Sequence, residues 1–169
     1  MCLSVNLTCH KVKNNKPIAL VAEQSILVYK IIEKDDNNHY FTPYSYMPIN
    51  FDDEYGMFFY KTTKFSFEKH CWDNRYYVMS GIHTFAEIED AEDSLRFLST
   101  GCGANVKLYN AIIPKGSKFF IGKDGDIASS NLVVFKNKTK YNKNKKYFGD
   151  KPIEFSEYLK KFGTELDSK

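Results

Sequence analysis

Arginine is almost absent. The chain has 169 residues and 24 basic side chains, of which only Arg75 and Arg96 are arginine. Recognition that depends on the bidentate guanidinium fork therefore has little to work with. Cysteine is sparse as well: Cys2, Cys9, Cys71 and Cys102 are too few for a disulfide scaffold, and free thiols are expected. No window approaches the roughly 18 consecutive apolar residues of a transmembrane helix. The first residues, MCLSVNLTCHKVKNNK, lack the basic-then-apolar order of a secretory signal. Position 2 is not glycine and the last residues form no prenylation box, so no lipid anchor is expected. A cytoplasmic protein without membrane association is the expectation. The bulk composition, 43% hydrophobic and 27% charged, excludes disorder, collagen and coiled coil as the main architecture.

What is present is aromatic and lysine-rich. Aromatic residues make up 16% of the chain, with 14 Phe and 12 Tyr. The length suits one domain over residues 1–169, able to bury roughly 70% of the surface of the unfolded chain. Formal net charge is +3, unevenly spread. Residues 136–151, KNKTKYNKNKKYFGDK, hold seven lysines against one acid, so the rest of the chain is mildly acidic. The excess of Lys over Arg, with abundant Asn, has the look of an AT-rich genome and points to a low-GC bacterium or its phage as the source.

The pattern along the chain predicts an α+β fold with a mainly antiparallel sheet. Residues 1–17 read as an irregular arm or short strand. Residues 26–32, ILVYKII, are β-branched and apolar and predict a buried strand interrupted by one charge, Lys30. The cluster Lys34–Asn38 predicts a turn and 39–42 a return strand. Pro43 and Pro48 restrict 43–50 to extended or edge structure. Residues 58–67, 75–79, 105–113, 118–121 and 131–135 predict further strands. Lys123-Asp124-Gly125-Asp126 is the strongest hairpin signal. A long helix is predicted over 85–99, with Thr84 as N-cap, Glu87 completing a capping box, and an apolar stripe of Phe85, Ile88, Ala91, Leu95 and Leu98. Residues 136–151 read as a Lys/Asn-rich loop and 154–162 as a short C-terminal helix.

Several residues carry possible chemistry. Cys2 would become an N-terminal nucleophile if Met1 were removed, its own amine serving as base; the plainer reading is a small residue packed on a short strand. The pairs Cys9-His10 and His70-Cys71 have ligand chemistry but no zinc spacing, and adjacent residues of a strand point to opposite faces. No metal or other cofactor is expected. His83, beside the expected helix start, would be biased toward its neutral form, as a base or as a partly buried structural residue. The acids Glu87, Glu89, Asp90, Glu92 and Asp93 read as a solvated helix face. In the basic segment Lys136, Lys138, Lys140, Lys143, Lys145 and Lys146 could track a phosphate backbone, with Tyr141 or Tyr147 stacking on bases; the alternative is a solvated loop.

The ordered set VYKII (28–32), TPY (42–44), GIHTF (81–85), then IIPKGSKFFIG and GDIASSNLVV within 112–134, resembles small uncharacterised proteins of gut bacteria and their phages. These carry a Tyr-Lys strand, a Gly-x-His-x-Phe helix start and a late Pro-Lys-Gly hairpin. The resemblance implies no particular activity. A looser one is to the ADP-ribosyltransferase fold, with Lys30, His83-Thr84-Phe85, Pro114-Lys115-Gly116 and Ala128-Ser129-Ser130 in the order of that fold's functional strands. Every catalytic position departs from the pattern, so this resemblance implies an inactive relative and transfers no catalytic residue.

The leading expectation is a non-enzymatic binding or interaction protein, with a protein partner favoured over nucleic acid. One alternative is an enzyme using Cys2 or a degenerate ADP-ribosyltransferase-like nucleotide cleft. The other is nucleic-acid binding through 136–147. A deep pocket lined by Cys2, His83 and Lys30 would move the reading toward an enzyme.

Overall fold

A computed structural model of the chain describes residues 3–43, 47–62, 64–69, 75–101, 103–148 and 151–163, without the side chains of Lys146 and Tyr147. Cys2, His70, Cys71 and Cys102 lie outside the described residues, as do the side chains of Lys146 and Tyr147. The fold is mixed but strand-dominated. Its strands are β1 (Leu3–Ser4), β2 (Val12–Lys13), β3 (Lys16–Pro17), β4 (Leu20–Val21), β5 (Ile26–Lys34), β6 (Tyr40–Phe41), β7 (Pro48–Ile49), β8 (Met57–Lys61), β9 (Phe67–Lys69), β10 (Tyr76–Val78) and β11 (Ile82–Phe85). Helix α1 (Ile88–Arg96) continues as a π-helical turn over Phe97–Gly101. Then come β12 (Val106–Ile113), β13 (Lys118–Ile121), β14 (Asp126–Ser129), β15 (Asn131–Phe135), α2 (Lys138–Asn144), a 3-10 turn over Lys145–Phe148, β16 (Ile153–Glu154) and α3 (Phe155–Phe162).

The main sheet runs β4-β13-β14-β11-β5-β12-β15-β8, with every pairing along that order antiparallel, and β16 and β6 are also joined to β5. Strand β5 is its spine. It is apolar on both faces, as a central strand covered from both sides must be. Ile26, Val28 and Ile32 pack in one core with Ile113, Phe119, Phe155 and Tyr158. Leu27 and Tyr29 face the opposite side, with Ala91 of α1 and Tyr141 of α2. A small sheet, β1-β10-β9, closes over Phe120 and Ala128 through Leu3, Tyr76 and Val78.

The two edges of β5 are not alike. One pairs with β12 along eight residues, from Glu33↔Val106 to Ile26↔Ile113. The other is shared by three strands. Parallel β16 takes Ile26 and Leu27, β11 takes Tyr29 through Phe85, and β6 takes Glu33 and Lys34. Among the described residues, 30–32 have no ladder partner on that edge. Strand β11 meanwhile stays paired with β14 over all four of its residues. The sheet therefore splits just beyond the Tyr29–Phe85 pair.

Two expectations about helices are corrected. The long helix begins at Ile88, not at 85. Thr84 is a strand residue, 2% exposed, and does not cap α1. Register with β14 claims residues 82–85, because four consecutive pairings and the burial of Ile82 and Thr84 outweigh a local capping box. Glu87 occupies the N-cap position without a side-chain cap bond; its carboxylate accepts instead from the Ser156 backbone N–H at the start of α3. The second correction is the Lys/Asn-rich segment, which is the packed helix α2 and not a loop. Asn137 caps it, accepting from the Lys140 N–H at 2.9 Å. Tyr141 rests edge-on against Phe135, and Asn144 donates to the Tyr55 carbonyl at 2.9 Å. The expected strand over 58–67 is also shorter: β8 stops at Lys61, and Phe67 belongs to β9 of the small sheet.

The β13–β14 hairpin forms as its sequence predicts, with Gly125 at φ +74° and Gly122 N–H bonded to the Asp126 carbonyl at 2.8 Å. A Cβ at Gly125 would also run into the Asp90 carboxylate. Gly125→Ala is therefore expected to lower unfolding free energy by about 1–2 kcal/mol, chiefly from the left-handed backbone, as read from urea denaturation.

Candidate functional site

The parting of β5 and β11 leaves a cavity of about 200 Å³. Lys30 and Ile31 line it from β5, and Ile82 to Phe85 from β11. Thr42, Pro43 and Met47 come from the β6–β7 connection, Tyr60 from β8, Met79 and Gly81 from the run into β11, and Ser94 and Leu98 from the helical layer. Met47 (41% exposed) and Met79 (42% exposed) mark its solvent end. The lining is mostly apolar and contains no carboxylate among the described residues.

Lys30 is the charged exception in the apolar run of β5. Its Nζ donates to the His83 carbonyl at 2.6 Å. In an unbroken ladder that backbone oxygen would face a strand N–H; here the lysine side chain reaches it across the split. The residue retains some surface toward the cavity, while the ammonium is enclosed by protein, and burial pulls its pKa down to about 8. Its cross-strand neighbour is Tyr109. Burial raises the hydroxyl pKa of both Tyr109 and Tyr60 to about 12, so neither supplies a negative charge at neutral pH.

His83 is held neutral. Burial first, and the Lys30 charge second, lower its pKa to about 4. The helix N-terminus suggested by the sequence is not the cause, since His83 lies inside β11. Both ring nitrogens of His83 and the Thr84 hydroxyl are buried without a hydrogen-bond partner among the described residues. Buried polar groups are almost always bonded, and His83 and Thr84 are both residues of the cavity lining.

The structure thus brings Lys30 and His83 together, and Cys2 lies outside the described residues. The other residues singled out from sequence are placed elsewhere. His10 is structural: its Nδ1 bonds the Ile18 carbonyl at 3.0 Å and its Nε2 accepts the Ile121 N–H at 2.9 Å. Cys9 is a half-buried free thiol, and no group of three His, Cys, Asp or Glu side chains converges among the described residues. Glu89, Asp90, Glu92 and Asp93 are exposed on α1, where Arg96 pairs with Asp93 at 3.3 Å. In the basic segment Lys136, Lys138 and Lys143 are exposed, Lys140 donates to the Glu54 carbonyl at 2.7 Å, and Lys145 lies over the Tyr141 ring. Tyr141 is core, so the expectation that it stacks on bases is corrected. Sequence reasoning missed Thr42, Tyr60, Met79 and the role of Thr84. Thr42 belongs to the TPY string, the one available signal; Tyr60 and Met79 show none.

No family model, curated protein or solved structure matches the chain.

Two expectations follow. The Lys30 pKa is lower folded than unfolded, so its burial penalty is complete below about pH 8 and gone above about pH 10.5. Lys30→Met should stabilise the protein by about 2 kcal/mol at neutral pH, after the lost bond to the His83 carbonyl is set against the removed charge. That gain should vanish as pH rises through the same window in urea titrations. His83 has the same direction of shift at lower pH: the unfolded chain binds the extra proton between about pH 6.5 and 4, so stability falls as pH falls. Between neutral pH and pH 4 the wild type should lose about 3 kcal/mol more than His83→Gln. The difference between the two chains is the quantity to measure, because Asp126, raised by burial to about 6, works in the opposite sense over an overlapping range.

Proposed function

We propose that this is a small-molecule-binding domain whose ligand occupies the cleft between β5 and β11. One observation carries the reading: an enclosed Lys30 ammonium, bonded to one carbonyl, faces a cavity that has no carboxylate among the described residues. A charge buried without a counter-ion is costly, and a ligand oxygen, carbonyl or anionic, would offset that cost. Ile31, Met79 and Leu98 suit an apolar body, and Thr84 with neutral His83 offers a donor and acceptors for its polar edge. The proposal keeps the binding function expected from sequence but makes the partner a small molecule in place of a protein. It sets aside the basic segment as a nucleic-acid site, since Tyr141 is committed to the core. A bacterial or phage source and a cytoplasmic location remain part of the proposal. They agree with the resemblance, and no helix among the described residues is long and apolar enough to cross a membrane.

The four methionines give a direct test. Met47 and Met79 line the cleft, while Met57 is buried in the core and is not part of the lining. Titration of small carboxylates, aldehydes and ketones into ¹³C-methyl-methionine protein should shift Met47 and Met79 and leave Met57 in place. Lys30→Met should weaken the binding at least about tenfold, the value of a charge-assisted hydrogen bond. Shifts that are absent across the panel, or equal at Met57, would remove the reading.

A further inference from the structure

We propose that Lys30 is a covalent nucleophile that captures the carbonyl carbon of a small aldehyde or ketone in this cleft as an imine. The inference rests on the reading that the cleft admits a small ligand, and it names the ligand's reactive class. Its basis is placement. The Lys30 nitrogen is tethered at 2.6 Å to the His83 carbonyl, which fixes where its amine lies at the cavity wall. None of the described residues around the cavity is a carboxylate, so no acid among them adds to the His83 carbonyl in holding the group as an ammonium. Among the described residues the titratable side chains beside it are His83 from β11, Tyr60 from β8 and Tyr109 from β12, all neutral at physiological pH. An ion-pairing lysine is built the other way, with an acid beside it. Desolvation without an acid is how a lysine becomes a nucleophile near neutral pH.

The step balances without a further reagent. The free amine donates its electron pair to the carbonyl carbon, the π pair moves to oxygen, and a proton passes from nitrogen to that oxygen. The carbinolamine then expels its hydroxyl, protonated, as water while nitrogen loses its second proton and forms the C=N bond. Neutral His83, with both ring nitrogens unpartnered among the described residues, and the Thr84 hydroxyl line the same cavity as donor and acceptor for these proton movements. The apolar lining keeps competing water scarce.

Benzaldehyde is the probe, added to the full-length protein with sodium borohydride, which reduces an imine to a stable secondary amine. Peptide mapping by mass spectrometry should find the adduct, the mass of the aldehyde less one oxygen, at Lys30 with about tenfold or greater occupancy over any other lysine. Capture should climb with pH and level off above about 8, where surface lysines continue to rise. Lys30→Arg keeps a positive hydrogen-bond donor at the site but cannot form the imine, and should abolish trapping. If that variant does not fold, the wild-type peptide map decides alone. Benzaldehyde that shifts the Met47 and Met79 methyls while Lys30 stays unmodified would overturn the covalent step and leave the binding reading intact. Labelling spread evenly over the lysines would overturn it too. Neither shift nor adduct would remove both.

Discussion

The fold depends on how the second edge of β5 is satisfied. A buried strand must have its backbone donors and acceptors bonded on both sides. β12 does this completely for one edge. On the other, β16, β11 and β6 each supply only one or two pairings, and they arrive from three separate parts of the chain. A sheet finished by three short pieces cannot be continuous. The break falls at residues 30–32, and the cavity is the space it leaves. Lys30 is placed at the break and extends its ammonium to a carbonyl of the strand that has moved away. The same feature thus relieves one unsatisfied backbone group and places a charge at the wall of a pocket.

That arrangement has an energetic cost, and its location is informative. A lysine amine with a depressed pKa, an imidazole held neutral and a threonine hydroxyl without a partner among the described residues each subtract from stability. The surrounding core is otherwise well made: Ile26, Val28, Ile113, Phe119 and Val134 are fully or almost fully buried around the defect. Proteins keep costly polar groups in good cores where function requires them, and the three here share one cavity. The acids of α1, by contrast, remain in solvent and cost little.

What could be read from sequence follows from how local each signal is. The buried strand at 26–32, the hairpin closed by Asp124-Gly125 and the return strand at 40–41 are encoded by neighbours in the chain, and all form. The start of α1 departs from its local signal because Thr84-Phe85-Ala86-Glu87 satisfies a capping pattern, while the deciding interaction is with β14, some 40 residues later. Helix α2 is hidden in the sequence for the opposite reason. Only Tyr141 and Asn144 of its seven residues are buried, so no apolar stripe exists to be recognised. At the site, Lys30 and His83 stood out because a charge within ILVYKII and a histidine within GIHTF contrast with their surroundings. The cavity did not, since it is assembled from segments near 30, 42, 60, 80 and 98 whose proximity is a property of sheet order alone.

The scarcity of arginine takes on a specific meaning at position 30. A lysine-rich composition places lysine at most basic positions without regard to chemistry, and on the exposed face of α2 arginine would serve as well. Inside the cleft the two residues differ in kind. A guanidinium stays charged under any physiological condition and could act there only as a fixed cation. An amine of pKa about 8 exists in both forms near neutral pH. It can be an ammonium that bonds an anionic oxygen or an amine that attacks a carbonyl, and the composition of the cavity decides between them. A pocket built to hold an anion gains by keeping its cation protonated, which several acceptors on the nitrogen or a nearby acid would favour. This one gives the nitrogen one carbonyl among the described residues and otherwise buries it, which raises the share of free amine near neutral pH. The same burial that makes Lys30 a poor fixed charge makes it a usable nucleophile.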